Sequence, residues 1–154
     1  MVELPHTIVG AAIAYKIGNP ALSLPLAFAS HFLIDGLIPH WNPHLNGEKK
    51  LHGRITAKTT TFVSIDTLVS LGVGLFLASR VLPDVGGFVV IVLGCFLAVL
   101  PDVVEGPYFF FNLSHPLLEK FMGWHTKIQR DSPFWPGVIT QVVLVVGALW
   151  WFFS

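Results

Sequence analysis

The stretch SHFLIDGLIPHWNPH, residues 30–44, ends an apolar run and contains three histidines and one aspartate. His31 and Asp35 form an i,i+4 pair, so in a helix they share one face. A charged group within a membrane span costs about 2.5–3.5 kcal/mol on insertion scales, and such groups usually face a partner or a cavity. The stretch therefore predicts a membrane helix that ends beside a polar site.

The rest of the chain is equally apolar. Hydrophobic residues make up 53% of its 154 residues and charged residues only 12%, whereas a soluble domain carries about 25% charged residues. The net charge is zero, which implies no polyelectrolyte partner, so no nucleic-acid partner is expected. We predict an all-α, polytopic membrane protein with a single domain over residues 1–154.

Five apolar segments are candidate transmembrane helices. They cover residues 5–18, 20–38, 59–82, 85–104 and 134–153. About 20 helical residues cross a hydrocarbon core of about 30 Å, so the first segment is marginal in length. Gly10 and Ala14 in that segment form a small-xxx-small face that favours close helix packing.

Basic residues indicate the orientation of these segments. The N-terminus and the two long loops share one side of the membrane, and that side holds seven of the nine lysine and arginine residues, namely Lys49, Lys50, Arg54, Lys58, Lys120, Lys127 and Arg130. The positive-inside rule places this side in the cytoplasm. We therefore expect an integral membrane protein with a cytoplasmic N-terminus.

Ionisable residues also concentrate at the cytoplasmic end. Every histidine lies there, whereas the opposite half carries only Lys16, Arg80 and Asp84. The candidate metal ligands are the histidines and carboxylates that share this depth: His6, His31, Asp35, His40, Asp66 and Asp102. Imidazole and carboxylate ligands suit zinc, manganese or iron, and a set of this size would support two divalent ions.

These ligand candidates also have simpler interpretations. His31 and Asp35 could form an ordinary hydrogen-bonded pair between helices. Asp66 could hydrogen-bond locally or cap a neighbouring helix, and Asp102 could likewise cap a helix end.

The long loop after the fourth segment supplies candidate catalytic groups. His115 and His125 lie in this loop, and Glu105 lies at its start. A loop that covers the site could contribute one of these histidines as a second metal ligand or as a general acid. Residues 107–124, PYFFFNLSHPLLEKFMGW, combine aromatic and apolar side chains and predict an interfacial segment on the membrane surface. Such a segment could guide a lipid into the site, or it could be a simple connector.

Three motifs, HTIVGAA, HFLID and VLPDVVE, resemble those of the small bacterial membrane-bound metal-dependent hydrolases of the LexA-regulated inner-membrane type. The resemblance implies a metal-binding role for His6, His31, Asp35 and Asp102, and a prokaryotic inner membrane as the location. The order of the motifs differs, because His-x-x-x-Asp precedes Leu-Pro-Asp here, and Glu105 replaces an Asp-His pair. That family is similar to zinc phospholipase-type hydrolases, which implies a lipid phosphoester as substrate.

Three functions follow from these features. The first is a metal-dependent hydrolase at the cytoplasmic leaflet, with membrane lipid as its environment and an amphiphilic phosphoester as its substrate. The second is a proton or metal-ion transporter, which needs ionisable groups with access from both sides of the membrane. The third is a non-enzymatic scaffold with a structural metal or ion-pair cluster. The apolar far half disfavours transport, and we expect the hydrolase.

Overall fold

The computed structural model describes residues 1–154, and its regular secondary structure is entirely helical. The seven helices are α1 (Glu3–Ile17), α2 (Pro20–Leu37), α3 (Leu45–His52), α4 (Ala57–Ser79), α5 (Val85–Phe111), α6 (Pro116–Ile128) and α7 (Phe134–Phe153). No strand forms, although an isolated bridge joins His40 to Asp131. The predicted all-α class is confirmed.

Four helices, α2, α4, α5 and α7, are long and apolar enough to cross a membrane. This is the composition of a helical membrane protein. The helix α1 has 15 residues and is shorter than the about 20 residues that a full span requires. The predicted count of five spans therefore exceeds the four helices that meet this length.

The short helix α1 lies at the centre of the bundle and packs against α2, α4, α5 and α7. Its small residues allow this. A Cβ on Gly94 of α5 would lie 2.6 Å from Ala14 Cβ and 2.9 Å from the carbonyl oxygen of Gly10. Only glycine fits a crossing this close, so the small face predicted from Gly10 and Ala14 is confirmed.

Tight turns close the end of the bundle that lies away from the histidines. Asn19 accepts a hydrogen bond from the Ala21 N–H at 3.0 Å and caps α2, while Asp84 accepts one from the Gly87 N–H at 3.0 Å and caps α5. Both are preferred N-cap residues. The adjoining half of the bundle is filled by an apolar cluster: Ile8, Ala11, Ala12, Ala14, Leu77, Ala78, Ile91, Cys95, Ala148 and Phe152.

The connections on the histidine side differ from their predicted form. The helix α5 continues beyond residue 104 to Phe111, through Pro101 and Pro107. A proline removes one backbone N–H but does not end a membrane helix that neighbouring helices support. The predicted interfacial segment 107–124 is therefore divided between the end of α5 and the amphipathic α6. The loop 39–58 also contains a helix, α3, that the sequence did not predict.

Candidate metal centre

Asp35 lies at the centre of the polar cluster and is fully buried in the last turns of α2. Its Oδ1 is 3.2 Å from His6 Nε2 and 3.7 Å from His40 Nε2. Its Oδ2 is 3.5 Å from His125 Nε2 and 3.7 Å from His31 Nε2. Four imidazole rings thus direct the same nitrogen, Nε2, toward one carboxylate.

The helices α1, α2 and α5 position the first two of these histidines. His6 and His31 stack, with ring centroids 4.1 Å apart. His31 Nδ1 donates a hydrogen bond to the carbonyl oxygen of Ala98 on α5 at 2.7 Å. A backbone carbonyl oxygen has two lone pairs, so the Ala98 carbonyl can accept this bond from another helix as well as a helical one.

His40 follows α2 and is positioned by backbone contacts that are remote in sequence. Its N–H donates to the Arg130 carbonyl at 3.0 Å, and its own carbonyl accepts from the Ser132 N–H at 2.9 Å. On the other side, Gly137 of α7 is so close that a Cβ there would overlap the backbone of His40 and Trp41. The segment between α6 and α7 therefore places the His40 ring in the cluster.

The Nδ1 hydrogen bonds orient three histidine rings. His31 and His40 donate from Nδ1 to backbone carbonyls, which can only accept. Since a neutral imidazole carries one proton, Nε2 of each of these two rings then presents a lone pair. His125 donates from Nδ1 to Glu105 Oε1 at 2.8 Å. Metal-binding histidines in proteins are oriented by this same kind of Nδ1 contact.

The Nε2 atoms need a positive partner. His31 Nε2 and His125 Nε2 lie 3.2 Å apart, which is hydrogen-bond distance. Both ring nitrogens of His6, and Nε2 of His40, are buried without a hydrogen-bond partner. Buried unpaired nitrogens are costly, and a bound metal ion would satisfy Nε2 of His6 and of His40, so the residues present fit a metal ion.

Two further carboxylates complete the donor set. Asp102 Oδ1 lies 3.6 Å from His31 Nε2. The donors form three groups with all ligand atoms within 4.8 Å of one another: His6, His31 and Asp102; His31, Asp35 and His125; and Asp102, Glu105 and His125. Because each group shares a residue with another, they form one continuous cluster, which is large enough for two ions.

The carboxylates Asp35 and Glu105 also stabilise the protonated form of His125 on α6. Burial opposes protonation of His125, yet hydrogen bonds to Asp35 and Glu105 outweigh it and raise the pKa of His125 to about 9. Burial lowers the pKa of His40, which favours its neutral form. A metal ion competes with protons for the ring nitrogens that bind it, so binding of the ion would release protons.

The structure brings together seven of the predicted site residues: His6, His31, Asp35, His40, Asp102, Glu105 and His125. Asp66 and His115 lie outside this cluster. Asp66 Oδ2 accepts the backbone N–H of Glu3 at 2.6 Å and so caps the start of α1. His115 is exposed and caps α6, where its Nδ1 accepts the Leu117 N–H at 3.3 Å.

Some groups at the site carried no clear signal in the sequence. Gln129 Nε2 donates to Asp35 Oδ2 at 3.4 Å, and the terminal amine of Met1 lies 3.3 Å from Asp35 Oδ1. Gln141 of α7 donates from Nε2 to the Trp41 carbonyl at 3.1 Å and supports the segment that carries His40. A polar amide in an otherwise apolar helix was the one available indication for Gln141.

A cavity of about 1070 Å³ lies between α4 and α5 and reaches the cluster at Asp102 and Glu105. Glu3, Asp66, Asp102 and Glu105 are its acidic lining residues near the cluster, and other polar side chains, such as Asn42, Thr126 and Gln129, also line it. Its apolar lining includes Leu71, Leu75, Val92, Phe96 and Val99. This volume slightly exceeds the about 300–1,000 Å³ of most small-molecule sites. The space therefore fits an amphiphile with its polar part at the cluster.

No protein-family model, curated protein or solved structure matches the chain. The fold and the site define its class: a helical membrane protein with a buried cluster of histidines and carboxylates beside an amphipathic cavity.

Proposed function

We propose that the protein is a membrane-embedded, metal-dependent hydrolase that acts on a phospholipid or another amphiphilic phosphoester. The observation that carries this proposal is the convergence of four imidazole Nε2 atoms on Asp35, with Nε2 of His6 and Nε2 of His40 lacking a hydrogen-bond partner. Histidine and carboxylate donors favour zinc, or manganese or iron, over calcium and magnesium. The resemblance to small bacterial membrane-bound metal-dependent hydrolases supports the same class.

The residues of the cluster divide into two roles. His6, His31, Asp35, His40 and Asp102 hold one or two divalent ions. When bound, such ions activate a water molecule and stabilise the charge on phosphoryl oxygens.

The pair formed by His125 and Glu105 supplies proton transfer. Glu105 accepts the Nδ1 hydrogen bond of His125 at 2.8 Å and thereby holds the ring with Nε2 toward the cluster. From that position His125 Nε2 gives a proton to the leaving oxygen of the substrate. A carboxylate behind a catalytic histidine stabilises the protonated ring in the same way in hydrolases of other folds.

The position in the membrane follows from the charge distribution. We propose that α1 completes a bundle of five membrane helices and that the basic loops face the cytoplasm of a prokaryotic cell, with the cluster at that end. The half of the bundle away from the cluster is filled by apolar residues. A transporter needs a polar path through this half, so the packing supports hydrolysis over transport.

Substitution of the two histidines of the long loop tests the proposal. With zinc and diacyl phospholipid in mixed micelles, we expect His125→Asn to lower kcat by about 10²–10⁴-fold, because a positioned proton donor contributes that much. Its metal content should remain that of the wild type. We expect His115→Asn, which keeps a good helix cap, to change kcat by less than about twofold.

Two results would contradict this account of the reaction. The first is a metal-loaded wild type that cleaves no phosphoester, and this result would favour a scaffold with a structural metal. The second is an equal loss of kcat in the His115 and His125 variants. Phosphorus NMR of the products measures both outcomes directly.

A further inference from the structure

The amphipathic helix α6 carries His125 to the cluster and packs against α2 and α5. Its buried residues are Met122 and His125. On the side of α5, Glu105 accepts the Nδ1 hydrogen bond of His125 at 2.8 Å. On the side of α2, the neighbour of His125 is the half-buried ring of Phe32. The position of His125 therefore depends on how α6 is held against these two helices.

The ring of Phe32 contacts two histidines of the cluster. It meets the ring of His31 edge-on, with centroids 5.4 Å apart, and the ring of His125 edge-on at 5.6 Å. Edge-to-face pairs with centroids about 4.5–7 Å apart are favourable. The Nε2 atoms of the same two histidines lie 3.2 Å apart. One apolar ring thus lies against both members of a pair that joins α2 to α6.

Phe32 also contacts two other aromatic residues of α6. Its centroid is 5.2 Å from that of Trp124 and 6.5 Å from that of Phe121. Phe121 in turn stacks on His125, with centroids 5.6 Å apart. Apart from the direct His31–His125 pair, every aromatic contact between α2 and α6 involves Phe32. Because aromatic pairs stabilise beyond the area that they bury, Phe32 is well placed to hold α6 on the bundle.

We infer that Phe32 is a positioning residue, which docks α6 on α2 and thereby holds the His125 ring in the cluster. The inference rests on the proposed function only for the role of His125 as proton donor. A proton donor must lie within hydrogen-bond reach of the group that it protonates. A displacement of about 1 Å can lower a rate by about 100-fold, so a loosened α6 would slow the reaction through His125.

Hydrogen exchange of the full-length protein in detergent, measured by mass spectrometry, tests the docking of α6. We expect Phe32→Ala to raise the exchange rate of the α6 amides about tenfold, which corresponds to about 1.4 kcal/mol of local stability. The amides of α1 should exchange as in the wild type. Phe28→Ala is the matched control, because Phe28 contacts the ring of Phe32 at 5.4 Å but makes no aromatic contact with α6. It should leave the exchange of α6 unchanged.

Carbethoxylation of the histidines, mapped by peptide mass spectrometry, tests the position of His125 itself. His115 is exposed whereas His125 is fully buried, so the reagent should modify His115 rapidly and His125 slowly in the wild type. We expect Phe32→Ala to raise the rate at His125 about tenfold relative to His115, in step with the opening of α6. His6 on α1 is also fully buried and should stay protected.

The inference is overturned if Phe32→Ala leaves the exchange of α6 unchanged, even with a more reactive His125, since Phe32 would then only cover that ring. It is also overturned if Phe28→Ala loosens α6 equally. Loss of protection in α1 and at His6 together with α6 would overturn it as well, because Phe32 would then support the whole bundle rather than α6.

The kinetics of phosphoester cleavage test the link to the reaction. We expect Phe32→Ala to lower kcat at least about tenfold and to keep KM within about twofold, because α6 positions a proton donor rather than the substrate. An unchanged kcat in a protein with a loosened α6 would overturn that link. Neither protection experiment requires turnover, so the predicted loosening of α6 in a wild type without activity would uphold the docking role of Phe32 and count against hydrolysis.

Discussion

Asp35→Asn is expected to lower the metal affinity of the cluster by at least about 100-fold. Loss of a group that only orients a metal ligand lowers metal affinity by about 10–100-fold. Asp35 should matter more, because it is the one carboxylate within 3.7 Å of all four imidazole Nε2 atoms. Asparagine keeps the size of the side chain but removes its charge. Competition with a zinc chelator of known affinity measures the change.

Asp66→Asn is the matched comparison for this variant. Asp66 lies on the wall of the same cavity, but its Oδ2 accepts the Glu3 N–H rather than joining a donor group. An asparagine oxygen can accept the same hydrogen bond, so α1 keeps its cap. We expect zinc affinity within about threefold of the wild type. Equal loss of zinc in both variants would instead place Asp66 among the ligands.

Gly94→Leu is expected to have the second large effect, on folding rather than on chemistry. Even the Cβ of the new side chain would lie 2.6 Å from Ala14 Cβ and 2.9 Å from the Gly10 carbonyl oxygen. Overpacking of a core costs about 1–3 kcal/mol and sometimes more. A loss of about 3 kcal/mol lowers Tm by about 6–12 °C in a protein of this size. Tryptophan fluorescence during heating in detergent measures Tm.

The control for this variant is Gly72→Ala. A Cβ on Gly72 of α4 meets no atom within 4 Å, and alanine is the better helix former by about 1 kcal/mol. We expect its Tm to equal or exceed that of the wild type. A Gly94→Leu protein that keeps its Tm would show that α1 and α5 do not cross in contact, and the placement of His6 near Asp35 would lose its basis.

Local sequence patterns were sufficient to predict part of this architecture. The i,i+4 spacing of His31 and Asp35 places both on the buried face of α2, as expected from helical geometry. The small face of Gly10 and Ala14 likewise indicated a close crossing. Such features depend on residues within one helix, so the period of the helix determines them.

The remaining features depend on contacts between distant segments. His40 enters the cluster only because residues 130–132 pair with its backbone and because Gly137 leaves room for it. Asp66 illustrates another limit, since an aspartate in an apolar helix can be a ligand or a cap and has the same sequence signal in both cases. The sequence therefore predicts which residues are candidate metal ligands, but it does not predict which of them are helix caps instead.

The two histidines of the long loop show the same limit. Both precede or lie within α6, but His115 caps its exposed start whereas His125 lies on its buried face. The boundary of α6 decides this difference, and the sequence interpretation treated the whole stretch 107–124 as one interfacial segment. Without the start of the helix, its buried face could not be assigned.

The metal content of the purified wild-type protein tests the central claim most directly. The protein should be extracted in detergent without chelator, supplied with zinc, manganese and iron, desalted, and analysed by inductively coupled plasma mass spectrometry. We predict one to two equivalents of a single transition metal per chain, because the donor groups form one cluster that can hold two ions. Less than about 0.1 equivalent of every metal would contradict a metal centre, and the His–Asp cluster would then be a buried network of protons and ion pairs.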